Sequence, residues 1–495
     1  MRFNPLTCID FYKSDHRKQY PAGTNLVYSN FTPRSDRLAK KGVMYDGKIV
    51  FFGLQYFIKS FLIETFNSEF FQKPKEEVVN RYKRRLDNAL GKDAVAVDHI
   101  EALHDLGYLP LEIRALPEGA LVPIKCPVLT IHNTLPEFFW LTNYLESVMS
   151  CMLWQPTTSA TTARQYRLLL DKYADETGGD KFFVNFQVHD FSFRGMSGIE
   201  SAALSGAGHA IFFNGSDTVP AIDLLEDYYG ADSDKELILC SVPATEHSVM
   251  CMGSKESEIE TFKRLITKIY PSGIVSIVSD TWDLWKVLDE YAPTLKAEIE
   301  ARDGKVVFRP DSGNPADIIC GTGSPVCGGQ SLPFNPSGKG CLNLLWEHFG
   351  GTINDKGYKV LNEKVGLIYG DSITLERAEE ILRRMRGMGF CSSNIVFGVG
   401  SFTYQYNTRD SYGFAMKATY GEVNGIPQAI FKDPITDSGI KKSLQGVVSV
   451  LKVDGEYYYA DNLTDINHDS EMKTVFKDGE LVRNMSFNEI KAQAV

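Results

Sequence analysis

Residues 237–248 read Leu-Ile-Leu-Cys-Ser-Val-Pro-Ala-Thr-Glu-His-Ser, an apolar run followed by a polar turn that presents one histidine. The run at 237–240 is predicted to be a buried strand, and the Ser, Thr and Glu after it are types that bond loop backbone or cap a following helix. A histidine at a strand end can act as general base, nucleophile or phosphate-handling group, because its unperturbed pKa lies near neutrality. Taken alone, a histidine such as His247 is more commonly a loop residue with a satisfied hydrogen bond than a functional group. Whether it is functional therefore depends on the rest of the chain.

Predicted strands that end in polar residues recur on both sides of this stretch. From about Phe182 onward, strands are predicted to alternate with helices, which indicates βαβ units and a parallel sheet. The strands are predicted at 182–186, 210–213, 237–240, 274–278, 306–308, 366–369 and 395–397. A (β/α) barrel or an open α/β sheet builds its site from the carboxyl ends of such strands. We therefore expect an α/β fold whose barrel-like domain covers residues 180–420.

The two ends of the chain differ from this middle part. Residues 1–150 mix predicted strands and helices, and residues 421–495 return to short strands and turns without βα alternation. We expect these two parts to form an additional α+β domain. Residues 321–340, rich in Gly, Pro and Ser, are predicted to be a surface excursion or a mobile flap.

Composition excludes several classes of protein. The 495 residues include 52 Lys and Arg against 63 Asp and Glu, a net charge of −11, which argues against bulk nucleic-acid binding but allows a small anionic substrate. The nine cysteines include no C-x-x-C pair, as expected for reduced thiols in a cytosolic protein. With no run of 18 apolar residues and no apolar segment at the N-terminus, we expect a cytoplasmic protein without membrane contact.

The residues at the strand ends suit one kind of ligand. The segments Gly370-Asp371-Ser372 and Gly398-Val399-Gly400-Ser401 place Gly and Ser before helices, where exposed backbone N–H groups bind phosphate. Arg309 and Asp311 suit a phosphorylated sugar, since the guanidinium grips phosphate and the carboxylate holds a hydroxyl or Mg²⁺. Phe191 can stack on a flat ring, Arg194 can pair with an anion, and Asp217 can accept from an amide. The implied ligand is an aromatic ring beside a multiply phosphorylated sugar.

The N-terminal arm, residues 9–21, mixes aromatic residues with charges of both signs. It fits a solvated arm that packs its aromatic side chains on the body. It fits equally a segment that supplies stacking and charge to a site, including a site in a partner subunit. The arm's sequence by itself leaves both interpretations open.

In combination, these motifs resemble the nicotinamide phosphoribosyltransferases, type II phosphoribosyltransferases of NAD salvage, over nearly the whole chain. The segments that carry the resemblance are Asp10-Phe11-Tyr12-Lys13, Lys18-Gln19-Tyr20-Pro21, His189-Asp190-Phe191-x-Phe193-Arg194-Gly195, Gly215-Ser216-Asp217-Thr218-Val219, Val242-Pro243-Ala244-x-Glu246-His247-Ser248, Arg309-Pro310-Asp311-Ser312-Gly313-Asn314-Pro315, Phe431-Lys432-Asp433-Pro434 and Thr474-Val475-Phe476-Lys477-Asp478-Gly479. Where the family commonly has three consecutive glycines, this chain has Val399-Gly400-Ser401.

The resemblance implies transfer of a phosphoribosyl group from 5-phosphoribosyl-1-pyrophosphate to nicotinamide, on a barrel-like phosphoribosyltransferase domain. Phe191 and the partner subunit's Tyr12 would sandwich the pyridine ring, with Asp217 accepting from the carboxamide. The remaining implied substrate contacts are Arg194, Arg309 and Asp311 for ring, ribose and phosphate; Gly370, Asp371, Gly400 and Ser401 for the 5′-phosphate; Arg409 and the partner subunit's Lys417 for pyrophosphate; and Asp10, Ser241 and Ser276 as further substrate-binding residues.

The resemblance also implies a coupling reaction and a partner subunit. ATP would phosphorylate His247, with Glu246 and Asp280 orienting the imidazole. Mg²⁺ would be carried mainly by pyrophosphate, with Asp311 as a nearby carboxylate, and the shared sites imply a head-to-tail homodimer. An oxocarbenium-like transition state can be stabilised by fixed charges and by Mg²⁺ on the pyrophosphate, so the reaction needs little covalent catalysis by the protein.

Three alternatives stay open from the sequence. A nicotinate phosphoribosyltransferase on the same scaffold would place a basic or hydroxyl group, not Asp217, near the ring substituent. A non-catalytic binding protein on this fold would be expected to lack His247, Arg309 or Asp311, and all three are present. An aldolase-type barrel enzyme would need a Schiff-base lysine at a strand end, and none of the predicted strands ends in Lys.

Overall fold

The computed structural model describes residues 3–323, 326–327, 330–331, 335–370, 372–432 and 444–494. Its strands are β1 (Thr24–Pro33), β2 (Lys48–Val50), β3 (Leu111–Ala115), β4 (Leu121–Pro123), β5 (Leu129–Asn133), β6 (Val188–Asp190), β7 (Ser272–Val278), β8 (Asp303–Arg309), β9 (Val326–Cys327), β10 (Gln330–Ser331), β11 (Gly351–Ile353), β12 (Lys359–Leu361), β13 (Val365–Tyr369), β14 (Val396–Val399), β15 (Phe414–Val423), β16 (Ile426–Ala429), β17 (Val447–Val453), β18 (Glu456–Leu463), β19 (Lys473–Lys477) and β20 (Glu480–Leu481). Residues 324–325, 328–329 and 332–334 of the predicted 321–340 excursion lie outside the described residues. The prediction is wrong for its last part, because residues from 336 onward belong to the helix Pro336–Phe349, with Gly338 and Gly340 buried.

Helices surround and connect these strands. The α-helices are His16–Gln19, Leu54–Tyr56, Lys75–Leu90, Asp98–Leu106, Leu141–Tyr144, Glu146–Thr177, Ile199–Ala210, Pro220–Tyr229, His247–Met252, Glu258–Arg264, Leu284–Lys286, Ala292–Thr294, Lys296–Glu300, Pro315–Cys320, Pro336–Phe349, Leu375–Gly387, Ser401–Tyr404 and Phe487–Gln493. Segments of π-helix are Phe57–Thr65, Asn67–Phe71, Leu265–Ile269 and Val287–Tyr291, and 3₁₀ turns are Pro5–Thr7, Phe11–Asp15, Pro136–Phe138, Phe183–Phe186, Phe193–Gly195, Ser392–Asn394 and Arg409–Ser411. Across the described ranges, every helix is too short or too polar to span a membrane.

A parallel sheet forms the barrel-like part of the fold. Its strand order is β6-β14-β13-β8-β7, with each neighbouring pair parallel. Single parallel bridges continue the ring from Ser276 to Ala244, from Cys240 to Gly215 and from Ser216 to Asp190, which returns to β6. The α/β class and the barrel-like architecture are therefore confirmed, and the carboxyl ends of the parallel elements meet around one opening.

Three predicted strands are wrong. Residues 237–240 form no strand and contribute only one β-bridge, at Cys240. The reason is that the side-chain amide of Asn214 donates hydrogen bonds to the backbone carbonyls of Leu237 and Ile238, which are then not available to a neighbouring strand. The segment 210–213 leaves a helix and turns, and 182–186 is largely a 3₁₀ turn. Local apolarity marked these segments as buried but did not determine their backbone conformation.

The two ends of the chain build a second, antiparallel sheet. Its order is β16-β15-β1-β5-β3-β19-β20, so three strands from the first 133 residues lie in the middle of the sheet and strands after residue 413 flank them on both sides. β1 lies between β5 and β15, which come from opposite ends of the chain. The helices around this sheet complete the additional α+β part, while the exact boundaries at 150, 180 and 420 stay predictions.

The helix Glu146–Thr177 joins the two parts. Its first half, with Met149 and Leu153, packs into the core under the antiparallel sheet, and its second half, with Tyr166 and Leu170, packs into the core around the barrel. One continuous helix therefore fixes the antiparallel sheet relative to the opening of the barrel.

Candidate active site

Phe191 marks the end of the site that the sequence assigns to an aromatic ring. It follows β6, and its backbone N–H donates to Val399 O at 2.9 Å, which ties it to β14. Gly398 lies directly against the Phe191 ring, where a Cβ atom would stand 2.7 Å from the ring carbon Cδ2. The glycine is thus required for Phe191 to occupy this place.

Asp217 lies beside the same ring end. Its Oδ1 accepts from His189 Nε2 at 2.9 Å and from Ser241 Oγ at 2.6 Å. Burial alone would raise the pKa of Asp217, but these two hydrogen bonds and the charge of Arg309 hold that pKa below its ordinary value. The side chain keeps 47% of its surface exposed, so an ionised carboxylate faces the space where a ligand would lie.

Buried polar side chains behind this surface hold it in place. Asp190 is fully buried; its carboxylate accepts from Ser192 N at 2.9 Å and from Thr218 Oγ1 at 2.8 Å, and its carbonyl accepts from Asp217 N at 3.0 Å. The His189 ring lies against the Phe191 ring, with the centroids 4.6 Å apart and the planes tilted by 41°. Neither His189 nor Asp190 was among the predicted site residues, although both directly precede Phe191 in the sequence.

Arg309 ends β8 and Asp311 follows it in the next loop; their assignment to the sugar and phosphate stays a prediction. The Arg309 guanidinium carbon is 4.8 Å from the Phe191 ring centroid, a cation–π distance that joins the two ends of the site. Gly370 leaves room for both: a Cβ there would lie 2.6 Å from Arg309 Nε and 2.6 Å from Asp311 Oδ1. Asp371, predicted to bind the 5′-phosphate, lies outside the described residues.

His247 begins a short helix near the same opening. Its Nε2 is 3.6 Å from Asp280 Oδ1, while Asp280 Oδ2 accepts from Asp311 N at 2.8 Å. Asp280 thus connects His247 to the Arg309–Asp311 loop. Glu246, also predicted to orient the imidazole, accepts a hydrogen bond from Ser248 Oγ instead.

The other residues that the sequence predicts to bind substrate at the barrel opening are Gly400, Ser401, Arg194 and Ser276. Gly400 and Ser401 start the turn after β14, and Ser401 packs so closely on Gly195 that no Cβ fits there. Arg194, next to Gly195, is exposed. Ser276 is buried on β7, where its backbone exchanges hydrogen bonds with Pro243 and Thr245.

An apolar cavity of about 530 Å³ runs inside the barrel behind the ring end. His189, Ser241 and Ser276 line it near the opening, and Lys305 and Gly366 line it further along the strands. Ser241 and Ser276, both predicted to bind substrate, therefore face the interior of the barrel.

Tyr12 and Lys417 lie together on the antiparallel part of the fold. Lys13 pairs with Glu146 and lies 5.1 Å from the Tyr12 ring centroid, and Lys417 Nζ is 3.7 Å from Glu146 Oε1. Burial lowers the pKa of Lys417, and the Glu146 carboxylate opposes this shift. The Tyr12 side chain is 57% exposed, so its aromatic ring is presented to solvent.

Two further predicted residues also lie on loops at the surface. Asp10 accepts from Ser147 Oγ at 2.5 Å, which fixes the start of the N-terminal arm on the long helix. Arg409 pairs with its neighbour Asp410 at 3.1 Å and keeps 49% of its side chain exposed.

Metal-ligating side chains are dispersed around the site. Within the described ranges, no group of three or more His, Cys, Asp or Glu side chains is placed to hold a metal ion. Asp311 can offer a carboxylate to a cation that arrives with a phosphorylated substrate. Mg²⁺ carried mainly by pyrophosphate oxygens stays a prediction from the sequence.

The architecture has known counterparts among solved structures. It aligns with the nicotinate-nucleotide pyrophosphorylase of Pyrococcus furiosus with a TM-score of 0.59 at 15% identity, covering 99% of this chain and 95% of the other. It aligns with human nicotinic acid phosphoribosyltransferase with a TM-score of 0.55 at 15% identity, covering 98% and 92%. These likenesses define the class of fold, that of the nicotinate phosphoribosyltransferase type.

Sequence comparison then gives the family. The model of the nicotinate phosphoribosyltransferase (NAPRTase) family matches residues 186–480, and that of the nicotinamide phosphoribosyltransferase N-terminal domain matches residues 4–113. Nicotinamide phosphoribosyltransferases of Acinetobacter baylyi and Xanthomonas campestris are 56% and 32% identical, each over 99% of this chain and over 97% and 98% of their own length. The chain belongs to the nicotinate phosphoribosyltransferase (NAPRTase) family.

Proposed function

We propose that this protein is a phosphoribosyltransferase that uses nicotinamide. It transfers the phosphoribosyl group of 5-phosphoribosyl-1-pyrophosphate to the ring nitrogen, and the products are nicotinamide mononucleotide and pyrophosphate in NAD salvage. Relatives named nicotinamide phosphoribosyltransferase, matched over almost the full chain, support this function. The observation that carries the choice of substrate is the ionised Asp217 at the ring end of the site.

The site suits a reaction that is catalysed by aligning the two substrates and stabilising charge, and not by a covalent intermediate with the protein. The pyridine nitrogen forms a bond to C1 of the ribose, and the bond between C1 and the pyrophosphate oxygen breaks with its electron pair leaving on pyrophosphate. Phe191 stacks on the pyridine ring, and Arg309 lies next to it to face the phosphorylated sugar. Holding both reactants in line and stabilising the charge that develops in the transition state both lower the barrier of such a transfer.

Asp217 selects between nicotinamide and nicotinate. Its carboxylate can accept a hydrogen bond from the carboxamide NH₂ of nicotinamide, whereas it would repel the carboxylate of nicotinate. His189 and Ser241 both donate to Oδ1 and so fix the orientation of the group. Against the opposing effect of burial, these two hydrogen bonds and the charge of Arg309 lower the pKa of Asp217.

ATP coupling through His247 is the second part of the proposal. With the Asp280 carboxylate 3.6 Å from Nε2 and its negative charge favouring a proton on that nitrogen, Nδ1 would attack the γ-phosphorus of ATP, and the bond to the ADP oxygen would break as ADP leaves. Water later cleaves the phosphohistidine. Support comes from the 3.6 Å approach of His247 to Asp280 and from the contact of Asp280 with the Asp311 backbone.

A head-to-tail homodimer completes the site in this proposal. Tyr12 and Lys417 would reach the partner's barrel opening, and their common cluster around Lys13 and Glu146 supports the idea that both arrive on one surface. Mg²⁺ would bind mainly to pyrophosphate and neutralise the leaving group. We place the reaction in the cytoplasm, where phosphoribosyl pyrophosphate and ATP are available.

The experiment that tests the function is a product assay with phosphoribosyl pyrophosphate and Mg²⁺. Nicotinamide and nicotinate are supplied in separate reactions, each with and without ATP. We expect mononucleotide from nicotinamide, with a higher yield in the presence of ATP. Turnover of nicotinate instead would assign the sister activity, and turnover of neither substrate would favour a binding protein on this fold.

A further inference from the structure

His209 and Tyr404 form a buried pair that the proposed reaction does not use directly. Both side chains are almost completely inaccessible to solvent, and Tyr404 Oη lies 2.7 Å from His209 Nδ1. The other ring nitrogen, Nε2, lies 2.9 Å from the carbonyl oxygen of Gly215. The residues are 195 positions apart in the chain, so only the fold brings them together.

The partners of His209 determine where its protons lie. A carbonyl oxygen can only accept, so Nε2 carries the proton and donates to Gly215 O. Burial lowers the pKa of His209, which favours the neutral ring with a bare Nδ1. Burial also raises the pKa of Tyr404, so its hydroxyl keeps its proton and donates to Nδ1. The pair is therefore a directed chain of hydrogen bonds from Tyr404 to Gly215.

One end of this chain is attached to the predicted phosphate loop. Tyr404 is the last residue of the single helical turn Ser401–Tyr404, whose first hydrogen bond runs from Thr403 N to Gly400 O at 3.1 Å. A phosphate bound at Gly400 and Ser401 would hold this turn. It would thereby hold the Tyr404 hydroxyl in its place against His209.

The other end is attached to the ring-binding end. Gly215 O accepts from Asp190 N at 3.1 Å as well as from His209, so the carbonyl is held from two sides. A Cβ atom on Gly215 would lie 3.0 Å from His189 Nδ1, and His189 in turn donates to Asp217. A shift of Gly215 would therefore displace the groups that orient Asp217.

We propose that Tyr404 is a positioning residue that couples the phosphate end of the site to the ring end through His209 and Gly215. The proposal rests on the proposed function, because it takes Gly400 and Ser401 as the phosphate contact and Asp217 as the nicotinamide contact. Binding at one end would favour the arrangement that the other end needs. Such coupling is reciprocal, so a phosphorylated sugar would tighten nicotinamide binding by the factor by which nicotinamide tightens the sugar.

The test is Tyr404→Phe in the full-length protein, with Tyr173→Phe as the matched control. Tyr173 is equally buried in the same core, and its hydroxyl donates to Glu379 Oε1 at 3.0 Å, away from both His209 and the turn Ser401–Tyr404. Nicotinamide affinity is measured by calorimetry with and without saturating ribose 5-phosphate, a sugar phosphate that cannot react. In the wild type, we expect the sugar phosphate to tighten nicotinamide binding by about fivefold or more.

Tyr404→Phe should reduce this factor to within about twofold of unity, while Tyr173→Phe keeps it. His209→Gln, which retains a donor for Gly215 but breaks the contact with Tyr404, should lose the coupling in the same way and serves if Tyr404→Phe does not fold. An unchanged factor in Tyr404→Phe or His209→Gln, an equal loss in the control, or no coupling in the wild type would overturn the inference. A wild-type protein that binds no nicotinamide would instead refute the proposed function.

Discussion

His189 Nε2 lies 2.9 Å from Asp217 Oδ1, a contact that joins the residue before the buried Asp190 to the carboxylate at the ring end of the site. Ser241 Oγ donates to the same oxygen at 2.6 Å. Two donors on one oxygen orient the carboxylate and favour its ionised form. Asp217 is thus held as a charged acceptor before any ligand binds.

Replacing Asp217 by Asn should change which pyridine the enzyme prefers. We expect kcat/KM for nicotinamide to fall roughly 10- to 100-fold, the loss of a hydrogen bond to a charged group, and the ratio of nicotinate to nicotinamide turnover to rise. Steady-state kinetics with both substrates measure this. Asp223→Asn, at an exposed position of the next helix, is the control and should leave both rates unchanged. Equal loss for both substrates would show that Asp217 does not select the ring substituent.

Gly370 should tolerate no side chain, because a Cβ atom would stand 2.6 Å from both Arg309 Nε and Asp311 Oδ1. For Gly370→Ala we expect kcat/KM for phosphoribosyl pyrophosphate to fall roughly 10- to 100-fold through displacement of these side chains. Gly387→Ala is the control, since a Cβ there meets no atom within 4 Å. Steady-state kinetics and a thermal melting curve for both variants separate a local defect from unfolding. Wild-type kinetics of Gly370→Ala would show that the Cβ atom does not displace Arg309 and Asp311.

The sequence predicted four of the five strands of the parallel sheet from continuous apolar runs. The runs at 274–278, 306–308, 366–369 and 395–397 are apolar almost throughout, as expected for parallel strands covered on both sides. The run at 237–240 is equally apolar, but two of its backbone carbonyls accept hydrogen bonds from the side chain of Asn214. Asn214 lies 23 and 24 positions earlier in the chain than these two residues. A local pattern cannot reveal such a partner.

The same limit applies to the site. Phe191, Asp217 and Arg309 were predicted as site residues because each follows a predicted strand. The structure brings the three together, although the segments 182–186 and 210–213 are turns and not strands. His189, His209 and Tyr404 lie within or next to apolar runs, where a single polar residue resembles an ordinary core position. Their roles depend on hydrogen bonds between distant segments, which the order of the sequence does not display.

His247→Ala should separate ATP coupling from the transfer itself. The phosphohistidine would drive the reaction without touching the ring nitrogen or C1 of the ribose, so we expect the variant to keep some mononucleotide synthesis and to lose its stimulation by ATP. Initial rates with and without ATP measure this. Equal ATP stimulation of variant and wild type would remove His247 from the coupling reaction.

A mixture of two inactive variants should test the shared site. If Tyr12 serves the partner's barrel, a dimer of one Tyr12→Ala chain and one Arg309→Ala chain contains one complete site. Random reassociation should then restore about a quarter of wild-type activity per chain. Mixing Tyr12→Ala with Lys417→Ala is the control, because both residues come from the same surface and no complete site can form. Absence of restoration in the first mixture would place Tyr12 in its own subunit's site or outside the site.

Glu118 predicts a pH dependence of stability that is independent of catalysis. It is buried, its Oε1 accepts from Gln55 N at 2.9 Å, and burial raises its pKa from 4.5 to about 7. Between these two pH values the folded protein binds a proton that the unfolded chain has released, so stability falls as pH rises from about 4.5 to 7 and stays lowered above. The full difference amounts to about 3 kcal/mol.

Glu118→Gln removes this titration while keeping an acceptor for Gln55. Unfolding by urea at pH 5 and pH 8 should therefore show a smaller loss of stability on going to pH 8 in the variant than in the wild type. Other buried groups titrate in both proteins and cancel in the comparison. Glu137→Gln, at an exposed position, should behave as the wild type. An identical pH dependence in wild type and Glu118→Gln would mean that Glu118 is ionised in the folded protein throughout this range.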